Sequence, residues 1–286
     1  MKKRLSVIIP VFNSKSVDKA INSIKKTDEI ELLVIDGGSE SETIDLLDKN
    51  RDKIDYYISE RDKGLYDAMN KGIANSTGEW VFTLASDDQL LCNPLAIIDK
   101  YENRNYDLIC GNLLAKNFEN RYFLICPNEK LSRLDIECSI CHPGTFFRKC
   151  VYEKYGLYDL KYKCAADHEL FLRLYKNGIS FLIIPELITF FLYGGTSTTH
   201  PFRAFKEDLQ ISDRYSVPYF KSRAHYINRI VNLYGSRWKD RVNMPHRTQF
   251  MNYERLMLFL DKHPEVINKQ FDIVNKERKE QLYGEA

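Results

Sequence analysis

Two short β-branched runs open the chain, residues 5–9 closed by Pro10 and residues 31–35 closed by Asp36-Gly37-Gly38-Ser39. Between them Val17, Ala20, Ile21 and Ile24 recur at helical spacing. Apolar strands with no polar face must be covered on both sides, so the strand, helix, strand order predicts a parallel α/β sheet. The pattern continues with a helix over 41–50, a strand over 54–58, a loop over 59–64, a helix over 65–75, and a strand over 80–84 that runs into Ala85-Ser86-Asp87-Asp88. Such sheets carry their functional groups where the strands end at their carboxyl edge, and Asp36, Asp62 and Asp87-Asp88 all follow strands.

From residue 107 the texture changes. Shorter strands over 108–114, 122–125 and 144–147, with fewer helices between them, predict a mixed sheet. A helix is expected over 167–176, then separate strands over 179–184 and 187–192 flanking Pro185-Glu186. Past Gly194-Gly195 the sheet signals stop, and residues 201–286 are amphipathic and helical, with anchors such as Ile211, Ile227 and Leu258. The chain therefore divides into an α/β unit over 1–200 and a helical extension over 201–286.

Composition narrows the function classes. A chain of 286 residues with 44% hydrophobic content can bury one substantial core plus a helical appendage. The net charge of +2 gives no bulk attraction to nucleic acid, so a charged partner must be held locally. Seven cysteines at uneven spacing give no secreted disulfide framework and point to a reducing, cytoplasmic compartment. Cys138, Cys141 and His142 lack the second ligand pair that a structural zinc would need. The basic start Met1-Lys2-Lys3-Arg4 leads into a strand and turn, not a signal peptide, and no apolar run nears the roughly 18 residues of a membrane span. Residues 201–250 hold ten Lys or Arg against four Asp or Glu, interleaved with Tyr215, Tyr219, Phe220, Tyr226 and Trp238. That bias suits a peripheral contact with an anionic bilayer; packing on the core or a homo-oligomer contact is the competing expectation.

Adjacent carboxylates at the end of the 80–84 strand are hard oxygen donors suited to Mg2+ or Mn2+ bridging to a pyrophosphate; capping of the following helix is the plainer alternative. Four segments in order decide the matter. Val7-Ile8-Ile9-Pro10-Val11-Phe12-Asn13, Leu33-Val34-Ile35-Asp36-Gly37-Gly38-Ser39, Asp62-Lys63-Gly64-Leu65-Tyr66-Asp67-Ala68-Met69-Asn70-Lys71-Gly72 and Ser86-Asp87-Asp88 together resemble the motifs of family 2 glycosyltransferases over about residues 4–198.

The resemblance implies an α/β GT-A nucleotide-sugar-binding fold: a mixed, mostly parallel sheet flanked by helices, with a C-terminal helical extension. It implies an inverting, metal-dependent transferase that moves a sugar from a nucleotide-diphosphate donor, UDP favoured, to a saccharide or lipid-linked acceptor in bacterial surface-polysaccharide assembly. The donor contacts it implies are Pro10, Phe12, Asn13, Asp36, Asp62, Gly64, Asn70, Lys71 and Asp87, with Asp88 on the Mn2+ or Mg2+ ion. Asp167, in Ala165-Ala166-Asp167-His168-Glu169, resembles the family's catalytic base, although Ala166 stands where a glutamate often precedes it. His142, Glu169 and His200 are candidate acceptor or phosphate contacts, and Gly194-Gly195-Thr196-Ser197 resembles a closing loop. A Rossmann oxidoreductase is excluded by the lack of Gly-x-Gly-x-x-Gly after the first strand. The remaining alternative is an inactive GT-A-like scaffold acting through its C-terminal helices.

Overall fold

The computed structural model describes residues 2–116, 122–192 and 200–241, with side chains to residue 232. Strands β1 (Leu5–Val11), β2 (Ile30–Asp36), β3 (Tyr56–Ser59) and β4 (Trp80–Thr83) lie parallel in the order β3-β2-β1-β4. Beyond β4 the sheet becomes mixed: β8 (Thr145–Arg148) runs antiparallel to β4 and to β6 (Leu108–Lys116), and β6 pairs parallel with β9 (Phe181–Leu192). The short β5 (Gln89–Leu90) closes that edge against β9, and β7 (Tyr122–Ile125) pairs with β6.

Alternation of side chains along each strand builds two cores from one sheet. Val7, Ile9, Leu32, Val34, Trp80, Phe82 and Phe146 point to one face, where α1 (Val17–Ser23), α2 (Ser41–Asp48) and α4 (Pro94–Tyr101) cover them. Ile8, Leu33, Ile35, Val81 and Phe147 point to the other, under α3 (Leu65–Asn75), α5 (Lys149–Tyr155), α6 (Ala166–Lys176) and α7 (Pro201–Arg214). Helix α7 is anchored in this second core by Ile211, which is fully buried, and α8 (Tyr219–Arg241) follows it.

Residues 181–192 form one strand where two are expected. Pro185 lacks an amide hydrogen and sits where the β6–β9 register shifts; there the Asn112 side-chain amide donates to the Pro185 carbonyl at 2.7 Å and bridges the irregularity. Helix α5 carries no strong helical spacing of its own and was not legible as a separate element. Among the described residues no helix is long and apolar enough to cross a membrane.

Close helix-to-sheet approach makes Gly72 indispensable. A Cβ there would lie 2.4 Å from Ile8 Cγ2 in the strand beneath. Gly72→Ala should cost about 1–3 kcal/mol by overpacking, read as a lowered denaturant midpoint; an unchanged midpoint would show that α3 rides farther from β1 than described.

Candidate functional site

The carboxyl ends of β1, β2 and β4 open into a cleft of ≈ 880 Å³. Pro10 and Phe12 form one wall, Asp62 and Gly64 a second, and Ala85, Ser86 and Asp87 the floor end. Phe12 is 65% exposed, an aromatic face left open at the mouth. Gly37 leaves room for Asp62: a Cβ there would fall 2.5 Å from Asp62 Oδ2 and push that carboxylate aside. Asp62 in turn accepts from the Gly64 amide at 2.8 Å, and Gly64 has φ +116, so the loop bends into the cleft at a residue free to take that angle. Arg61, Gly38, Leu65 and Ala68 also line the cleft, and reasoning from the sequence did not assign them.

Several expected donor contacts lie elsewhere. Asp36 is fully buried, and both its oxygens are occupied by the chain itself: Ser39 and Ser59 hydroxyls donate to it at 2.5 Å, and the Gly38 and Ser39 amides at 3.2 and 3.1 Å. It thereby shapes the turn that carries Gly37 and Gly38 into the cleft. Asn13, with φ 49, accepts from the Glu40 amide at 2.8 Å and fastens the β1 loop to the start of α2. Asn70 makes a reciprocal pair with Tyr158, donating to its carbonyl at 2.9 Å and accepting from its amide at 3.0 Å. Lys71 is engaged by Glu60 at 2.7 Å and by Asp67 at 3.8 Å. None of these four lines the cleft.

Asp87 and Asp88 divide as a turn requires. Asp87 lines the cleft, and burial raises its carboxyl above the usual range. Asp88 is 1% exposed; Oδ1 accepts from the Leu192 amide at 3.0 Å, while Oδ2 is buried with no hydrogen-bond partner among the described residues. Burial first, then the neighbouring Asp87 charge, pushes the Asp88 carboxyl well up. A lone carboxylate oxygen in this setting fits a divalent cation, which would restore the charged form. Among the described residues no three His, Cys, Asp or Glu converge on one point, so such an ion would need further oxygens from a bound molecule.

A second cavity of ≈ 440 Å³ is lined by His142, Cys138, Ser139, Arg133 and Asp167. Asp167 stands in the first turn of α6, where the helix dipole favours negative charge. Tyr66 of α3 donates its hydroxyl to Asp167 Oδ1 at 3.0 Å, and the residues beside it, Leu65 and Ala68, line the first cleft. The first turn of α3 thus lines the first cleft and, through Tyr66, bonds a residue that lines the second. Reasoning from the sequence did not assign Tyr66, which joins the two segments; its place inside the Gly64-Leu65-Tyr66-Asp67 segment was the available signal. Burial and the Asp167 charge raise the Tyr66 phenol well above its ordinary value, so it stays a donor. Burial lowers His142 and keeps it neutral against the pull of Asp167, with Nε2 2.6 Å from the Tyr158 hydroxyl.

Glu169 and His200 are not part of either cavity. Glu169 is 1% exposed and turned into the helix packing, accepting from Tyr215 at 2.6 Å and Arg173 at 3.0 Å. His200 is exposed at the N-terminus of α7. The expected closing loop at Gly194–Ser197 lies outside the described residues.

The profile described as glycosyl transferase family 2 matches residues 6–154, just over half of the chain. The chain belongs to glycosyl transferase family 2. It is therefore a transferase enzyme, and the curled mixed sheet with flanking helices is the GT-A fold. A PGL/p-HBAD biosynthesis glycosyltransferase of Mycobacterium bovis is 29% identical over 232 residues, covering 74% of this chain and 86% of that protein. A GalNAc(5)-diNAcBac-PP-undecaprenol beta-1,3-glucosyltransferase of Campylobacter jejuni is 34% identical over 124 residues, 41% of this chain and 40% of that protein. The structure of S. aureus TarS 1-349 in complex with UDP-GlcNAc superposes with TM-score 0.56 at 17% identity, covering 80% of this chain and 72% of that one. Against a longer TarS chain, also at TM-score 0.56, this glycosyltransferase covers 43% of the other's length.

The raised Asp88 carboxyl has a consequence for stability. With its folded pKa above the unfolded one, the neutral form stabilises the metal-free fold fully below the unfolded pKa, and that contribution is lost as pH rises through the folded value. Asp88→Asn should therefore gain thermal stability relative to the wild type between pH 5 and pH 8 in chelator. A pH-independent difference in melting temperature would show that Asp88 is not held in a charge-averse site.

Proposed function

We propose that this family 2 glycosyltransferase moves a sugar from a UDP-sugar to an acceptor hydroxyl by a single inverting displacement, with Asp167 as general base. The observation that carries the reading is the Asp167 carboxylate in the wall of one cavity, tied by Tyr66 to the wall of the other. The larger cleft takes the donor. Phe12 offers a face for the base to stack on, Asp62 and the Gly37-Gly38 turn border the nucleoside, and Asp87 faces the diphosphate end. Asp36 contributes through the turn it holds, and Asn13, Asn70 and Lys71 through the walls they fasten. TarS, which shares the fold, has been crystallised with UDP-GlcNAc, and this supports a uridine donor here.

The acceptor enters the smaller cavity. Asp167 takes the hydroxyl proton as that oxygen attacks the anomeric carbon, and the bond from that carbon to the diphosphate breaks on the opposite face. The proton remains on Asp167 until the product leaves. Neutral His142 and the Ser139 hydroxyl border the same space and can hydrogen-bond a sugar. Asp88, with Asp87 beside it, would hold Mn2+ or Mg2+, which when bound would supply Lewis-acid neutralisation of the leaving diphosphate. No nucleophilic Ser or Cys is required.

The acceptor is a saccharide or a lipid-linked glycan, in the setting of surface-polysaccharide assembly, and the Campylobacter relative's undecaprenol-linked name supports the second form. Helix α8 bears Phe220, Ile227 and Val231 exposed at 86%, 60% and 61%, an apolar face suited to a bilayer surface. Lys221 and Arg223 are paired with Asp135 and Asp213, so in this part of the helix the apolar side chains carry the contact.

Asp167→Asn conserves size but cannot take a proton; transfer should fall about 10²–10⁴-fold, with UDP affinity by calorimetry unchanged. Near wild-type transfer, or loss of UDP binding along with activity, sinks the assignment of the base. UDP should bind several-fold more tightly with Mn2+ than in chelator, and Asp88→Ala should remove the difference; metal-independent affinity in the wild type would remove Asp88 from the cation. Vesicle sedimentation tests the bilayer contact: Phe220→Glu should release protein that pellets with lipid, and equal pelleting of both proteins would exclude this face.

A further inference from the structure

The matched profile ends at residue 154, yet the segment carrying Asp167 is held by side chains that come later still. Helix α6 has no side chain to cap it at the N-cap position, where Ala165 stands; Asp167 Oδ1 accepts from the His168 amide at 2.9 Å inside the first turn, and the amides of residues 163–165 are served from elsewhere. The anion that serves this end comes from α7. Glu207, 9% exposed, accepts from the Lys163 amide through Oε1 at 3.1 Å and from the Cys164 and Ala165 amides through Oε2 at 2.8 and 3.0 Å. Three consecutive backbone N–H groups thus converge on one buried carboxylate two residues before Asp167.

The next residue of α7 secures the other side of Asp167. Asp208 is 2.7 Å from His168 Nδ1, while His168 Nε2 lies 2.6 Å from the Leu134 carbonyl. A carboxylate and a carbonyl both need a donor, so the fully buried ring is satisfied at both ends only as an imidazolium. Arg229 of α8 pairs with the second Asp208 oxygen. Leu134 lies in the 3-10 turn Leu131–Asp135, which also supplies Arg133 to the acceptor cavity. Residues 163–165 and 168 are therefore both pinned by neighbouring acids on one buried helix face, and Asp167 lies between the pins.

We propose that α7 is a positioning element of the transfer site, in which Glu207 and Asp208 hold the start of α6 so that the Asp167 carboxylate meets the acceptor hydroxyl. The inference rests on Asp167 being the base. Neither acid touches substrate; each acts through the backbone or ring beside Asp167. Displacing a reacting group by about 1 Å can cost on the order of 10²-fold in rate, and the loss should fall on the chemical step because none of residues 163–168 lines the donor cleft.

The test is a double-mutant cycle on the full chain. Glu207→Gln keeps the shape but sets an NH2 group against a backbone N–H; it should lower kcat about 10–100-fold and leave donor KM and UDP affinity within about twofold. In the Asp167→Asn background the same change should alter the residual rate by less than about twofold, because the group it positions is gone. Glu207→Asp, which keeps both oxygens one methylene short, should fall between Gln and the wild type. Equal losses in both backgrounds, or a loss confined to donor KM, overturn the proposal and leave Glu207 as a general stabiliser. If Asp167→Asn alone transfers sugar normally, it is the assignment of the base that has failed. Should Glu207→Gln melt below the assay temperature, Glu207→Asp carries the same cycle with the same criteria.

Discussion

The central strands β1, β2, β4 and β6 of this sheet are buried on both faces, and most of the architecture follows from that constraint. A strand such as β1, with every residue out of solvent, has to be covered from above and below. Covering it with helices forces crossovers, and crossovers make neighbouring strands parallel. Parallel strands in turn deliver their carboxyl ends to one edge, so Phe12, Gly37 and Asp87 meet at a cleft although they are spread along the sequence. The switch to antiparallel pairing at β8 ends this regularity, and the second cavity belongs to the mixed half. The two cavities thus sort onto the two halves of the sheet, linked by the Tyr66–Asp167 bond from α3.

Burial also governs the carboxylates. Asp36, Asp88, Glu169, Glu207 and Asp208 are all nearly inaccessible, and the fold treats them differently. Asp36 and Glu207 are saturated by hydroxyls and amides, Glu169 by a phenol and a guanidinium, and Asp208 by an imidazolium and a guanidinium. Asp88 alone among these five keeps a buried oxygen without a partner among the described residues, and so retains a demand that an ion can meet.

The first half of the fold was legible because its signals are local. Strand runs and helical spacing over residues 5–83 gave β1 to β4 and α1 to α3, with α3 at its observed bounds. The two strands expected over 179–192 merged because Asn112, far away in sequence, repairs the break at Pro185. The candidate site was legible as segments and not as atoms. Pro10, Phe12, Asp62, Gly64 and Asp87 reach the cleft, whereas Asp36, Asn13, Asn70 and Lys71 sit in the right segments with side chains engaged elsewhere. Tyr66 escaped notice because its partner lies 101 positions away, and no pattern within either segment joins them.

The pairing of Asn70 with Tyr158 bears on how such enzymes are surveyed by mutation. Its two bonds copy a rung of a β-ladder between a helix and a distant loop, and the Tyr158 ring they fix stacks on Tyr66 with centroids 5.4 Å apart. Replacing Asn70 would loosen the ring against which the Tyr66–Asp167 contact is braced, and under the proposed role of Asp167 product formation would drop although no reacting atom had been touched. A screen scored on turnover alone would group Asn70 with Asp167. Only a separate measure of folded population tells a residue that performs chemistry from one that keeps the scaffold in register.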